Sequence, residues 1–487
     1  MFWGIGIGFV LLYLCGYATY NLFMHPLSAY PGPLFMRVSR LGYSYKSIMG
    51  TLTFDMLELH ERYGDVVRIA PNELAFSHPQ AWKDIMGHHH GSRVEMEKYD
   101  HFYRPVSFGP VDVVSANREE HSRLRRLMSH GFSDRSMQAQ QPIINQYIDL
   151  FIQRIHEHCF GSEKPVDLAA WFNFTTFDII GDLAFGEPFG CLKKSDYHPW
   201  VKTIFEMARA GTVLQATSHW SSLQKLMLMM VPRSMMDEHR KHAEMAKLKL
   251  SKRLARESER SDLVDGLLKE VNGKSITLQE VQANASVLVI AGSETTATLL
   301  SGVTFLLLVN PDALKTLTNE VRDAFQAEGE ISHETVTKLP YLMACLNEAL
   351  RLYPPVPLGL PRVVPQGGAL ICGRHVPESS VVSIHQYAIY HREKYWTDPF
   401  GFHPERFLDV KGFENDDRAT FQPFHLGSRG CLGRNLAYLE SRLVLARLLW
   451  NFDLRIAEHS REWLNQQKVF NLWNKGPLDV FLTPVGR

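Results

Sequence analysis

Apolar and charged positions divide this chain into a leader, a short joint and a long mixed body. Positions 2–23 are apolar almost throughout, and no Asp, Glu, Lys or Arg occurs before Arg37. A run of that length spans a bilayer as a helix. A cleaved signal peptide is the competing reading. The run lacks a basic start and its apolar core is long, which favours a retained anchor over 2–24. Residues 25–36 include His25, Pro26, Pro31, Gly32 and Pro33 and read as a stiff linker. Beyond it, residues 66–70 and 73–76 alternate as two short strands around a Pro71–Asn72 turn. Helical periodicity dominates from Glu119 to Leu352 and returns over Leu436–Leu449. Strand and turn character closes the chain from Val469 to Pro484. No linker interrupts 37–487, so the pattern predicts one large, mainly α domain with a small β portion.

One stretch of the body is long and apolar enough to be a second span. From Val281 to Asn310 the only charged residue is Glu294, with a capping box at Thr277–Glu280 before it and Pro311 after it. Gln282, Asn284, Ser286 and the polar group Ser293–Thr296 sit inside this run. A carboxylate at mid-bilayer costs about 2.5–3.5 kcal/mol. A long core helix is the better reading.

Composition narrows the function. The 487 residues carry 52 basic and 52 acidic side chains, so charge balance points to no nucleic-acid partner. Six scattered cysteines form no Cys-x-x-Cys pair, which excludes a disulfide framework and a zinc cluster of that type. The run His88-His89-His90 reads as a solvated loop. Arg37, Arg40 and Lys46 follow the span and place the body in the cytosol by the positive-inside rule. The sequons at Asn173 and Asn284 fall in helical, apolar stretches and would stay unmodified there.

The densest chemistry is Phe424-His-Leu-Gly427-Ser-Arg429-Gly-Cys431-Leu-Gly433. Glycines on both sides allow close backbone approach to a flat ligand. The helix that follows favours a thiolate at its start. A lone intracellular cysteine is ordinarily a buried structural residue. The full pattern Phe-x-x-Gly-x-Arg-x-Cys-x-Gly, however, resembles the heme-binding signature of the cytochrome P450 family. That resemblance implies heme b ligated through iron by Cys431, with Phe424, Gly427 and Gly433 shaping the loop and Arg429 pairing a propionate.

Three further motifs occur in the family's order. Ala291-Gly292-Ser293-Glu294-Thr295-Thr296 resembles its oxygen-activation motif. There Ala291 and Gly292 leave room for dioxygen, while Thr295 and Glu294 deliver protons. Glu348 and Arg351 resemble the family's Glu-x-x-Arg pair, and Arg406 in Pro404–Phe407 its third member, a buried network holding the cysteine loop. Arg125 stands at the family's propionate-binding arginine, with His121 where a tryptophan is usual, and Arg362 is a further propionate candidate. Arg123 and Arg126 read as an exposed basic face suited to an acidic electron donor.

The resemblance covers the chain beyond the anchor. It implies the P450 fold and a monooxygenase that inserts one atom of O2 into a lipophilic small molecule. Electrons would come from NADPH through a separate diflavin reductase, with cytochrome b5 as a second possible donor. The implied setting is the endoplasmic reticulum membrane, single-pass, in fungal secondary metabolism of terpenoid, polyketide or peptide type. A heme-thiolate isomerase or dehydratase and a non-catalytic heme sensor are the alternatives. Pocket candidates are Tyr99, Phe102, Tyr103, Phe108, Val287, Leu288, Leu358, Leu360 and Phe470. The apolar run 226–232 reads equally as a bilayer-dipping entry path or as core.

Overall fold

The apolar stretch after Thr277 folds as one 32-residue helix, Leu278–Val309. Its capping box is formed on both sides: the Thr277 hydroxyl accepts from the Glu280 backbone, and the Glu280 carboxylate accepts from the Thr277 N–H. At the far end Asn310 leaves helical geometry and Pro311 starts the next helix, Pro311–Ala324. Most of this central helix is buried in the body, as a core helix requires. Both sequon asparagines, Asn173 and Asn284, are buried in helices too.

These relations come from a computed structural model that describes residues 2–88, 95–105, 110–159, 164–229, 233–255, 262–265, 267–268 and 276–486. The pocket candidate Phe108 and most of the triple histidine lie outside them.

Helices form the larger layer. Leu168–Phe185, buried along nearly its whole length, lies against the central helix. Two glycines set the close approaches. A Cβ on Gly292 would sit 2.8 Å from the Ile180 side chain, and one on Gly302 would sit 2.4 Å from the Tyr353 ring. Helix Pro340–Leu352 packs beside the central helix, as does Arg434–Asn451, the helix after Cys431. The latter runs two residues further at each end than its apolar pattern predicts.

The β portion is small. A five-stranded sheet has the order Val66–Ala70, Glu73–Phe76, Val381–Ile384, Arg362–Val363, Glu97–Lys98. Its first two strands are antiparallel and match the predicted pair residue for residue. Its edge register opposes Lys98 to Arg362, which matters below. A three-stranded sheet joins Val166–Asp167, Asp479–Pro484 and Phe452–Ile456. Two hairpins, 369–376 and 468–474, complete the set among the described residues.

Helix Phe2–Thr19 and the π turn Tyr20–Met24 form the leader, and Ile5–Met24 is long and apolar enough to cross a membrane. The joint after it is packed onto the body. Leu27 is fully buried, the Pro31 carbonyl accepts from the Arg68 N–H at 2.7 Å, and the Asn21 carbonyl accepts from the Arg68 guanidinium at 2.7 Å. Arg40 is not a free juxtamembrane cation, because it is buried against Glu73. In helix Ser221–Met229, Leu226 and Met229 are exposed, which removes the core reading for them.

Candidate active site

Gly427 decides the shape of the cysteine loop. Its φ is +77°, and a Cβ there would lie 2.0 Å from the Met86 carbonyl oxygen. His425 also adopts positive φ, at 59°, with its ring edge-on to Trp82 at 5.0 Å. The Cys431 N–H returns to the Phe424 carbonyl at 2.8 Å and closes the loop. Gly433 caps helix Arg434–Asn451, so Cys431 stands three residues ahead of the first helical turn. Its surface opens onto an internal cavity of about 270 Å³. Burial pushes the Cys431 thiol up, while the Gly433 N–H, Arg125 and Arg434 pull it down.

The opposite wall of that cavity is the central helix, through Val287, Leu288, Ala291, Gly292, Thr295 and Thr296. Thr295 donates its hydroxyl to the Ala291 carbonyl at 2.5 Å. Glu294 does not reach this wall. It is buried, paired with Lys475 and joined by the Thr298 hydroxyl at 3.2 Å. Burial pushes the Glu294 carboxyl up and Lys475 opposes it. Lys475 also lines two further cavities, neither of which includes Cys431.

Five cationic or imidazole side chains ring the cysteine side: Lys98, His121, Arg125, Arg362 and Arg429. The sheet-edge register puts Lys98 beside Arg362. Arg125 donates to the Gly430 carbonyl at 2.6 Å and Arg362 to the Tyr103 hydroxyl at 2.7 Å. Arg429 is engaged by Glu95, by Glu97 at 3.4 Å and by the Ala116 carbonyl at 3.0 Å. Arg429, the propionate candidate of the family resemblance, thus also has carboxylate partners in Glu95 and Glu97. Burial, with Arg429 and Arg362 nearby, pushes the Lys98 ammonium down to about 6. Burial and the same positive surroundings push His121 down to about 3, leaving a neutral imidazole with an N–H to donate.

This cluster of N–H donors tests whether a heme fits. A mostly apolar cavity lined by a cysteine and by an excess of donors suits an apolar macrocycle bearing two carboxylates. Lys98 is the member that sequence reasoning missed. Its signal lay in strand pairing, which a motif does not carry. Of the pocket candidates, Tyr103, Val287, Leu288 and Leu360 line this cavity. Tyr99, Phe102 and Leu358 line a smaller cavity of about 40 Å³, and Phe470 lines neither.

Glu348, Arg351 and Arg406 come together in one network. Glu348 accepts from Arg351 Nε and Nη2, both at 2.8 Å, from Arg406 Nε at 3.0 Å and from the His403 N–H at 3.0 Å. All three charged side chains are essentially inaccessible. Asp416, buried as well, takes the other edge of Arg406. Sequence reasoning did not find this fourth member.

A family model described as Cytochrome P450 matches residues 26–480. Cytochrome P450 monooxygenase astA of Talaromyces wortmannii is 46% identical over 96% of this chain and 94% of its own. Cytochrome P450 monooxygenase prhB of Penicillium brasilianum is 42% identical over 99% and 98%. A trichothecene C-15 hydroxylase of Fusarium sporotrichioides is 40% identical over 97% and 96%.

Proposed function

Because the chain belongs to the cytochrome P450 family, we propose that this heme-thiolate monooxygenase hydroxylates a lipophilic secondary metabolite at the membrane of the endoplasmic reticulum. NADPH would supply its electrons through a diflavin reductase, with cytochrome b5 as an optional second donor. The observation that carries the reading is a largely apolar cavity that Cys431 and Thr295 line together. The names of its relatives, a trichothecene hydroxylase among them, support the substrate class. The span Ile5–Met24 supports the membrane setting.

A heme bound through Cys431 supplies one-electron redox chemistry and dioxygen activation, with the thiolate favouring O–O cleavage. The residues of this chain do the rest. Lys98, His121, Arg125 and Arg362 would hold the propionates, and the Glu95–Arg429 pair braces the strand beside them. Val287, Leu288 and Leu360 exclude water and present apolar surface to substrate. Ala291 and Gly292 keep the helix face low above the cysteine. The overall balance is O2, R–H, two electrons and two protons giving R–OH and water. Thr295 holds a proton at its Oγ1 on the cavity side. Glu294 receives protons from the Lys475 side and must rotate to hand them on.

Replacing Cys431 with Ala tests the assignment. The variant should lose the red-shifted Soret band of the reduced carbonyl form. Retention of that band would exclude Cys431 as the ligand. Product analysis with membranes containing the protein and a reductase tests the activity, and turnover without NADPH or O2 would favour the isomerase alternative.

A further inference from the structure

An asparagine inside a largely apolar helix needs a reason. Asn284 stands one turn before Val287 and Leu288 on the same face of the central helix, and it is fully buried. Those two residues line the cavity of Cys431, and Asn284 does not. Both ends of its amide are used. Nδ2 donates to the Glu280 carbonyl at 2.8 Å, and Oδ1 accepts the Val113 N–H at 2.9 Å. These partners fix which way the amide points, since a flip would set N–H against N–H. Its base is fixed too, because Glu280 closes the capping box and pairs with Arg123.

Val113 belongs to a turn, 112–116, that other elements hold from several sides. The Asp112 carboxylate accepts the Val114 and Ser115 N–H groups at 2.7 and 2.9 Å, and the Asp112 carbonyl accepts the Ala116 N–H at 2.9 Å. Lys98 donates to the Val113 and Val114 carbonyls at 3.3 and 2.5 Å, and Arg429 to the Ala116 carbonyl at 3.0 Å. Among the described residues, Asn284 is the one acceptor that reaches this turn from outside it. Connecting segments are ordinarily the mobile part of a fold. This one is tied to a sheet edge, to the cysteine loop and to the central helix, and its Val113 and Val114 line the cavity.

We propose that Asn284 is a positioning residue for substrate choice: by holding the Val113 N–H it fixes Val113 and Val114 as a rigid wall of the cavity, and the wall favours slender lipophiles over bulky ones. The inference rests on the monooxygenase reading above and adds to it a residue that acts only through the two valines. An N–H deprived of its acceptor turns to water to recover a partner, and the wall moves with it.

The test uses full-length ferric holoenzyme and two azoles that ligate heme iron through nitrogen. Imidazole is the small probe and clotrimazole the bulky one, each titrated by the shift of the Soret band. Asn284→Leu keeps the side-chain shape and removes the acceptor, whereas Asn284→Asp keeps an acceptor. In Asn284→Leu the bulky probe should gain roughly 5- to 10-fold in affinity over imidazole relative to wild type, because it no longer works against one net hydrogen bond. Asn284→Asp should return the ratio toward wild type, and the carbonyl-form Soret band should keep its position in both variants. A merely structural asparagine would change stability and leave the ratio alone. An unchanged ratio in Asn284→Leu, or an Asp variant that behaves as the Leu variant does, overturns the proposal. If Asn284→Leu does not fold, hydrogen exchange of the wild-type holoenzyme decides. Peptides covering 112–116 should then exchange as slowly as those of the central helix, and rapid exchange there overturns the proposal. A wild type with no Soret band overturns the heme-thiolate reading instead.

Discussion

Two ion pairs in this protein share spacing and length and differ in surroundings. Arg351–Glu348 and Arg461–Glu458 are both three residues apart with a 2.8 Å contact. The first is 0% and 0% exposed, the second 58% and 86%. Replacing Glu348 with Gln keeps the side-chain shape and removes the one carboxylate paired with Arg351 among the described residues. That guanidinium then keeps an amide oxygen and the carbonyls of Tyr390, Pro399 and Gly401, but no counter-charge. Arg406 keeps Asp416, so the penalty falls chiefly on Arg351. Stranding one buried charge in this way costs about 3–5 kcal/mol. Replacing Glu458 with Gln should cost less than about 1 kcal/mol, because water already screens the pair. With unfolding entropy near 2 cal/mol/K per residue, a body of this size loses about 1 °C of Tm per kcal/mol. Glu348→Gln should therefore melt about 3–5 °C lower and Glu458→Gln within about 1 °C of wild type. Thermal unfolding followed by circular dichroism, with the Soret band read in parallel, measures both. Equal shifts in the two variants would refute the argument that burial rather than geometry sets the value of these pairs.

Other expectations follow from single contacts. Gly427→Ala meets both a left-handed backbone and the Met86 carbonyl, so heme incorporation should collapse while Gly329→Ala, which meets open space on an ordinary backbone, leaves it intact; pyridine hemochrome content of the two variants checks this. Lys98→Met removes one charge-assisted partner worth about 1.5–3 kcal/mol, so heme should transfer to a scavenger apoprotein roughly 10- to 100-fold more readily. The Glu440 carboxyl is raised from 4.5 to about 8 in the fold. The folded state therefore holds a proton that the unfolded chain releases, and this stability, full below pH 4.5, is lost as pH rises to 8. Relative to Glu440→Gln, wild type should lose up to about 1.4 kcal/mol per pH unit across that window, measurable by denaturant midpoints at several pH values. A flat difference would place the carboxyl in a wetter setting.

Much of the site is legible in the sequence because its parts are local. The cysteine loop, the capping box, the strand pair 66–76 and Glu348–Arg351 are each set by neighbours within a few positions. What the sequence hid is long-range. Lys98 joins Arg362 only through strand register, and Arg429 meets Glu95 across 334 positions. Lys475 finds Glu294 across 181. No periodicity encodes such meetings. For that reason Glu294 reads in sequence only as a proton carrier, whereas the structure pairs it with a lysine from the far end of the chain. His121, the one departure from the family's pattern, lines the cavity as a tryptophan there would be expected to do.

Arg68 has a practical corollary for anyone shortening the chain. Its buried guanidinium leans on the Asn21 and Pro71 carbonyls, and its N–H on Pro31. A truncation beginning at Leu34 would strip a sheet strand of two acceptors, whereas one that starts before Tyr20 discards the greasy rod and keeps the weld. The joint thus ties the rod to the sheet through a single guanidinium.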